Sequence, residues 1–323
     1  MGTVVALAGQ VGGAKLADGL YRLRGRDLAV IVNTGDDYEH VGLPFSPDID
    51  TMLFTLAGLA SPTAGWEPAG ESRSAFGMVK TLGGPDRVAF GDKSLAASLL
   101  RGEALRSGRR LTDITLGFCR HLGIEARVLP MTDDPVHTNV LTADGAVPFH
   151  DYFAQLGCEP VVQGFQYAGA DEARIPEEVV EALYAPDLEA IVICPSNPYH
   201  SIRPILEVNG MKKLLRSRGV PIIAVTPIVG GKALKGSAGK MMRELGREVS
   251  ARGAAMEYHK LIDGFVIDAE DEALADGILA SGIEVMMAHT VMSTVVERVV
   301  LARTALNFAR AIRARRSSEE TLA

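Results

Sequence analysis

Four aspartates in two short polar runs are the residues of this sequence best suited to chemistry. The runs, residues 33–37 and 47–51, read as loops at strand ends rather than as a charged helix face. Carboxylates gathered in this way repel one another unless a cation offsets their charge, and magnesium, bound in proteins by one or two carboxylates plus substrate phosphates, fits the pattern. The predicted metal ligands are Asp36, Asp37, Asp48 and Asp50. Helix capping by Asp48 or Asp50 is the alternative.

A glycine-rich turn lies upstream of both runs, between an apolar run and a helical pattern. Glycines let the backbone approach an anion closely, and the helix start offers unpaired N–H groups and a positive dipole end. The pattern is neither the full dinucleotide fingerprint nor the P-loop signature. A tight turn without a ligand is the alternative, and phosphate is the predicted ligand. The predicted phosphate-binding residues here are Gly9, Gly12, Gly13 and Lys15.

Two later loops also follow apolar strands and carry groups suited to phosphate. In residues 194–201, two prolines fix an open loop whose hydroxyl and amide groups face the crevice. In residues 226–236, lysines including Lys235 stand beside flexible glycines, which suits a polyphosphate, with a solvated surface loop as the alternative. The residues assigned to nucleotide phosphate in these loops are Ser196, Asn197, Pro198, Gly230, Gly231 and Lys232.

The elements that position these loops alternate between strand and helix. An apolar strand at 3–8, a helix at 14–24 and a strand at 28–32 form one βαβ unit. Further apolar runs at 190–194, 221–225 and 264–267 resemble parallel strands buried on both faces. We predict an α/β fold with a Rossmann-like, three-layer core around a parallel sheet, which binds its ligands at the carboxyl ends of the strands.

The middle of the chain is less regular. It contains helical patterns at 75–82, 94–107 and 111–122, then strands and turns at 126–152 with a hairpin candidate at 143–145. We interpret residues 62–185 as an insertion that covers the strand ends of a core made of residues 1–61 and 186–305. Residues 306–323 form the end of a C-terminal helix and a tail.

Composition narrows the class of protein. The 323 residues are 47% hydrophobic and 23% charged, as in a globular protein with a substantial core. The formal charge of −7 argues against a nucleic-acid partner, because phosphate-backbone binding needs a concentrated basic surface. Three cysteines without metal or disulfide spacing indicate a reducing compartment, and no apolar run approaches the ~20 residues of a membrane helix. We expect a cytoplasmic protein that binds no membrane.

Several of these motifs, in this order, closely resemble the 2-phospho-L-lactate transferase family of coenzyme F420 biosynthesis. The resemblance extends from residue 4 to about 291. The motifs that carry it are Asn33-Thr34-Gly35-Asp36-Asp37, Pro47-Asp48-Ile49-Asp50-Thr51, Leu129-Pro130-Met131-Thr132-Asp133-Asp134-Pro135, Pro195-Ser196-Asn197-Pro198 and Pro227-Ile228-Val229-Gly230-Gly231-Lys232.

The resemblance implies a magnesium-dependent transferase, usually a homodimer. Its donor is a phospho-acid linked to guanosine diphosphate, and GMP is released. Its acceptor is 7,8-didemethyl-8-hydroxy-5-deazariboflavin, whose ribityl hydroxyl attacks the donor phosphoryl group. By position Asp50 and Lys93 match the family's deazaflavin contacts, and Asn33 and Thr51 are assigned to the acceptor with them. The transferred acid has three alternatives: 2-phospho-L-lactate, phosphoenolpyruvate and phosphoglycerate.

Phosphoryl transfer depends mainly on positioning and charge stabilisation, so the mechanism needs no protein nucleophile. We expect Asp37 or Asp50 to accept the hydroxyl proton and thus to be catalytic. Two stretches depart from the family pattern: Gln10 replaces a glycine of the first turn, and residues 67–71 differ near the pocket for the acceptor or the acid.

Two alternative functions remain. The first is a nucleotide-sugar or dinucleotide-dependent oxidoreductase, which would carry an acidic residue at the end of the second strand, where Asn33 stands instead. The second is a regulatory protein that senses a nucleotide without turnover. Loss of the acidic pairs Asp36/Asp37 and Asp48/Asp50 would favour it, and both pairs are present.

Overall fold

The computed structural model describes residues 2–86, 88–233 and 236–322. The strands are β1 Thr3–Ala8, β2 Leu28–Val32, β3 Tyr38–His40, β4 Leu43–Phe45, β5 Arg127–Pro130, β6 His137–Thr142, β7 Gly145–Pro148, β8 Gly164–Ala168, β9 Leu188–Ile193, β10 Ile222–Val225, β11 Ile228–Val229, β12 Lys232–Ala233, β13 Gly264–Asp268 and β14 Glu284–Ala288. The helices are α1 Gln10–Arg24, α2 Pro47–Leu56, α3 Ser74–Thr81, α4 Asp92–Arg106, α5 Leu111–His121, α6 Phe149–Ala154, α7 Glu177–Leu183, α8 Arg203–Glu207, α9 Met211–Ser217, α10 Ala238–Glu244, α11 Ala251–Met256, α12 Ala275–Leu279 and α13 Val295–Leu322.

The centre of the fold is a sheet of seven strands in the order β14-β13-β10-β9-β1-β2-β5. Each neighbouring pair runs parallel. The chain builds outward from β1 through β2 on one side and from β9 through β10 on the other, so the strand order reverses between β1 and β9. Open α/β sheets bind ligands outside the carboxyl ends of the strands at such a reversal.

Apolar side chains cover both faces of this sheet and give three layers. Leu16 of α1, Met52 of α2 and Leu301 of α13 are buried in the cluster on one face. Val179 of α7 and Leu215 of α9 are buried in the cluster on the other. Burial on both faces accounts for strands made of uninterrupted Val and Ile runs. The α/β fold with a parallel central sheet is thereby confirmed, and the five predicted strands lie within two residues of their predicted ends.

The middle segment is not wholly separate from the core. Strand β5 pairs in parallel with β2 and forms one edge of the central sheet. The predicted insertion 62–185 therefore does not hold for this strand, because a four-residue strand ending in proline gives no long apolar run to recognise. The predicted hairpin is present as β6 and β7, and β8 adds a third antiparallel strand to it.

Helix boundaries differ from prediction mainly at α1. The three helices predicted in the middle segment are present as α3, α4 and α5, whereas α1 begins at Gln10, four residues before its predicted start. Gly12, Gly13 and Lys15 therefore lie within the helix rather than in a loop. The last helix, α13, runs through the predicted boundary at residue 305. Of the helices in the described ranges, none is long and apolar enough to cross a membrane.

Candidate active site

The glycine turn after β1 packs directly on the loop after β9. The Ser196 hydroxyl accepts the N–H of Gly9 at 3.2 Å and donates to the Gly9 carbonyl oxygen at 2.8 Å. A Cβ added to Gly12 would lie 2.3 Å from the carbonyl oxygen of Pro195, and one added to Gly13 would lie 2.4 Å from Ser196 Oγ. Gly12 is therefore required for the close approach of the two backbone segments, and Gly13 leaves room for the Ser196 hydroxyl, independently of any phosphate.

Asp48 occupies the start of helix α1. Its Oδ1 accepts the N–H of Gln10 and its Oδ2 accepts Nδ2 of Asn33, both at 2.9 Å. Gln10 has a φ of 54°, in the left-handed region that non-glycine residues seldom adopt. Burial and the nearby carboxyl group of Asp36 raise the pKa of Asp48 to about 7. The carboxyl group of Asp48 thus occupies the positive end of α1, where an anionic ligand would otherwise bind.

Asp36 forms a buried pair with His200. The distance from His200 Nδ1 to Asp36 Oδ2 is 2.9 Å, and the ring of Phe149 stacks on the imidazole with 3.9 Å between centroids. Burial raises the pKa of Asp36 well above its usual value, and it lowers the pKa of His200 to about 4. Both shifts have the same cause, burial, which disfavours the charged form of each side chain.

Asp37 and Asp50 lie beside a buried arginine that the sequence pattern does not reveal. Arg101 on α4 forms an ion pair with Asp50, and its Nη1 donates to the carbonyl oxygen of Pro44 at 3.3 Å. Its side chain is only 1% exposed. Asp37 Oδ2 accepts the hydroxyl of Ser46 at 2.6 Å. Burial raises the pKa of both carboxyl groups, and the positive charge of Arg101 opposes this shift.

Two of the predicted acceptor residues, Lys93 and Thr51, contact residues 66–71, which include the stretch that departs from the family pattern. Lys93 Nζ donates to the carbonyl oxygen of Ala69 at 2.5 Å, and its backbone N–H donates to Glu71 at 2.8 Å. The Thr51 hydroxyl donates to the carbonyl oxygen of Trp66 at 3.3 Å. Residues 66–71 therefore position both Thr51 and Lys93.

Two further residues assigned to phosphate form hydrogen bonds within the protein. Lys15 Nζ donates to the carbonyl oxygen of Met292 at 2.7 Å. Asn197 Oδ1 accepts the N–H of Tyr199 at 2.9 Å, where the buried Pro198 begins a π-helical turn. These contacts give Lys15 and Asn197 structural roles that a phosphate would have to share.

The loop that carries Gly230, Gly231 and Lys232 lies among carboxylates. The N–H of Gly230 donates to Asp271 at 3.2 Å, and a Cβ at Gly230 would lie 3.2 Å from the carboxylate of Glu270. Lys232 is exposed, and Lys235 of the same predicted loop lies outside the described residues. A phosphate would have to displace Asp271, so the geometry favours the crevice between β1 and β9 over this loop.

Two cavities of about 310 Å³ each open beside the carboxylates. Among the residues lining the first cavity are Asp36, Asp37, His137, Thr138, Phe149 and His150. Among those lining the second are Thr34, Asp37, Phe45, Arg101, Leu105 and Pro135. Residues 37–39 border both, and Tyr38 within them stacks on Phe45 and on His150, with 5.2 and 4.6 Å between ring centroids. Asp37 can therefore contact ligands in either cavity.

The four predicted metal ligands do not converge on one point. Within the three described ranges, no group of three or more His, Cys, Asp or Glu side chains is arranged to hold a metal ion. Asp48 is bonded to Gln10 and Asn33, and Asp50 is paired with Arg101, so these two carboxylates do not fit a metal site.

Asp36 and Asp37 do fit a magnesium ion. Oδ1 of each is buried and accepts no hydrogen bond from the part of the chain that the structure describes. Both residues line the first cavity. Magnesium is commonly held by one or two protein carboxylates and completed by substrate phosphate oxygens. Two carboxylates with one uncommitted oxygen each meet that requirement.

A Rossmann-like sheet with buried carboxylates and cavities at its carboxyl edge defines an α/β enzyme whose site lies at the strand ends. A model of the family described as "2-phospho-L-lactate transferase CofD" matches residues 4–297. The phosphoenolpyruvate transferase of Kitasatospora aureofaciens is 35% identical over 318 residues, covering 96% of this chain and 98% of that protein. The 2-phospho-L-lactate transferase of Methanocaldococcus jannaschii is 37% identical over 310 residues, covering 94% and 97%.

A solved structure is similar in fold. A member of the UPF0052 family from Bacillus halodurans superposes with a TM-score of 0.62 over 94% of this chain and 98% of that one, at 15% identity. The family match and the similar relatives show that the chain belongs to the CofD family of 2-phospho-L-lactate transferases. These proteins are transferase enzymes of coenzyme F420 biosynthesis.

Proposed function

We propose that this enzyme transfers a phospho-acid from a guanosine-diphosphate-linked donor to 7,8-didemethyl-8-hydroxy-5-deazariboflavin and releases GMP. The observation that carries the proposal is that Asp36 and Asp37 line one cavity at the carboxyl edge of the sheet and each has a buried oxygen without a hydrogen-bond partner among the described residues. Such oxygens could bind a magnesium ion that in turn binds the diphosphate of the donor. Family membership supports the same chemistry.

Asp36 and Asp37 would hold Mg²⁺, whose charge stabilises the phosphate oxygens during transfer. Asp36 is oriented by His200, and Asp37 by the hydroxyl of Ser46. Because phosphoryl transfer depends mostly on positioning and electrostatics, fixing these carboxylates in place is the main contribution of the chain.

Asp50 is the proposed proton acceptor for the ribityl hydroxyl. Asp37 is assigned to the metal, which leaves Asp50 of the two predicted catalytic aspartates. The ion pair with Arg101 fixes Asp50, while burial raises its pKa and so its proton affinity. Lys93, Thr51 and Asn33 are proposed to position the deazaflavin next to it.

The guanosine part of the donor is proposed to extend towards the glycine turn and the loop after β9, with its diphosphate beside Asp36 and Asp37. Ser196 joins the two segments through Gly9, at the reversal of strand order where α/β sheets bind nucleotides. We also propose, from family membership, that the enzyme is a cytoplasmic homodimer.

The test is product formation from purified protein. The deazaflavin acceptor, Mg²⁺ and one of three guanylylated acids are mixed, and deazaflavin product and GMP are separated chromatographically. We expect turnover with one or more of the acids, strong loss in Asp37→Asn, and full activity in Asp144→Asn, an exposed aspartate at the β6–β7 turn. Tight nucleotide binding with no product from any acid would instead support the nucleotide-sensing alternative.

A further inference from the structure

Two residues that line the second cavity each carry a buried polar atom without a hydrogen-bond partner among the described residues. Arg101 Nε and Thr34 Oγ1 both belong to residues lining it, and neither atom has a hydrogen-bond partner in residues 2–86, 88–233 or 236–322. The side chain of Arg101 is 1% exposed and Thr34 is 5% exposed. A buried donor without an acceptor is costly, so such groups commonly mark the place of a ligand or an ordered water.

The chemistry of the two groups selects the ligand. A guanidinium N–H can only donate, and a threonine hydroxyl can donate to the same acceptor. A planar anion with two oxygens satisfies both, and a carboxylate is such an anion. The apolar side chains of Phe45, Leu105 and Pro135 line the rest of the cavity and suit a small carbon skeleton.

Four acidic residues line the second cavity: the proposed magnesium ligand Asp37, the exposed Glu39, and Asp133 and Asp134, which have basic partners. Asp133 accepts the N–H of Thr112 at 2.7 Å and lies 3.6 Å from Arg110. Asp134 is paired with Arg174 at 3.4 Å. These partners reduce the repulsion that an incoming anion would experience.

We infer that the second cavity holds the carboxylate of the transferred acid, with Thr34 Oγ1 and Arg101 Nε as its hydrogen-bond donors. This inference rests on the proposed function. Asp37 borders both cavities, so a donor with its diphosphate in the first cavity can extend its acid past residues 37–39 into the second. Phospholactate and phosphoenolpyruvate carry a carboxylate on the carbon that bears the phosphate ester, and phosphoglycerate also carries a carboxylate, so the site recognises a group that the three acids share.

The experiment compares two donors that differ only in that group. One is guanylylated 2-phospho-L-lactate, and the other is guanylylated isopropyl phosphate, in which a methyl group replaces the carboxylate. Dissociation constants are measured by calorimetry with Mg²⁺ and without acceptor. We expect the wild-type chain to bind the carboxylate donor at least about tenfold more tightly, because hydrogen bonds to charged groups are worth that much.

Substitution of Thr34 separates the proposed contact from folding. Thr34→Val keeps the side-chain shape and removes the hydroxyl; it should raise the Kd of the carboxylate donor by about tenfold and leave that of the isopropyl donor unchanged. Thr34→Ser should restore the preference. In transfer assays the loss should appear in KM, with kcat retained, because the contact is present in both ground and transition states. If Thr34→Val does not fold, Thr34→Ala provides the same comparison.

Three results would overturn the inference: no wild-type preference between the donors, no effect of Thr34→Val, or an equal effect on both donors. The last would mean that the hydroxyl contacts phosphate rather than carboxylate. Wild-type turnover of an acid combined with any of these results refutes the inference alone. Absence of turnover with every acid refutes the proposed function, and the inference with it.

Discussion

The buried ion pair of Arg101 and Asp50 should contribute measurably to the stability of the fold, and substitution of either residue tests this. Arg101→Met leaves the Asp50 carboxylate without its cation, and Asp50→Asn leaves the guanidinium without its anion. The two side chains are 1% and 9% exposed, so water cannot compensate for the loss. Removing one partner of such a pair costs about 3–5 kcal/mol. For 323 residues the entropy of unfolding is about 0.7 kcal/mol/K, so each single variant should lower Tm by about 4–7 °C.

The double variant separates the pair from its surroundings. With both charges gone, no uncompensated ion remains, so the combined loss should fall below the sum of the single losses by about 1–3 kcal/mol. The assay is thermal and urea unfolding of all four proteins at pH 7. Arg110→Met is the control, because Arg110 is 45% exposed and its pairs with Asp113 and Glu178 lie at the surface; its Tm should fall by less than about 1.5 °C. Additive losses, or single losses as small as the control's, would show that Arg101 and Asp50 do not stabilise the fold as a buried ion pair.

Three other predictions follow from particular contacts. Gly12→Ala should destabilise the fold by about 1–3 kcal/mol in urea unfolding, because its Cβ would meet the Pro195 carbonyl, whereas Gly77→Ala in α3 should not, since no described atom lies near its Cβ. Because the pKa of His200 is lowered, its protonation favours the unfolded chain as pH drops from about 6.5 towards 4, whereas the raised pKa values of the four aspartates of the site act in the opposite direction. The His200 contribution should therefore appear as a difference between the urea-midpoint profiles of wild type and His200→Asn in this pH range, and identical profiles would contradict the assignment. Mn²⁺ binding, followed by water relaxation as a substitute for Mg²⁺, should be abolished in Asp37→Asn and retained in Asp48→Asn; the opposite order would move the metal to Asp48.

The sequence predicted secondary structure best in the strands that are buried on both faces of the sheet. Strands β1, β2, β9, β10 and β13 are covered on both faces, so their composition alone predicts them and the parallel sheet. Strand β5 was misplaced because its four residues carry too little apolar sequence to distinguish a sheet edge from a covering loop. The early start of α1 was missed because Gln10 adopts a left-handed φ, which residue type does not predict.

In the site, too, some features were predictable from the sequence and others depended on the tertiary fold. The motif order predicted that Asp36, Asp37, Asp48 and Asp50 matter. The structure buries Asp36, Asp48 and Asp50 at the carboxyl edge of the sheet and places the half-buried Asp37 beside them. Their partners were not predictable. Arg101 lies on α4 among other polar residues, 51 positions from Asp50, and only the tertiary fold joins them. The partition of the carboxylates into a helix cap, an ion pair and two uncommitted groups likewise depends on contacts distant in sequence.

Arg101 also makes the unfolding of helix α4 depend on that of the core. It lies on α4, in the middle segment, yet it neutralises a carboxylate of the core helix α2. Detachment of α4 alone would leave a buried charge in the core, so the helix and the site should open together with the sheet rather than by local fluctuation. Helix α3, which has no buried residue, has no such tie. Backbone amides of α4 should therefore exchange with solvent at the slow rate of the central sheet, and those of α3 much faster.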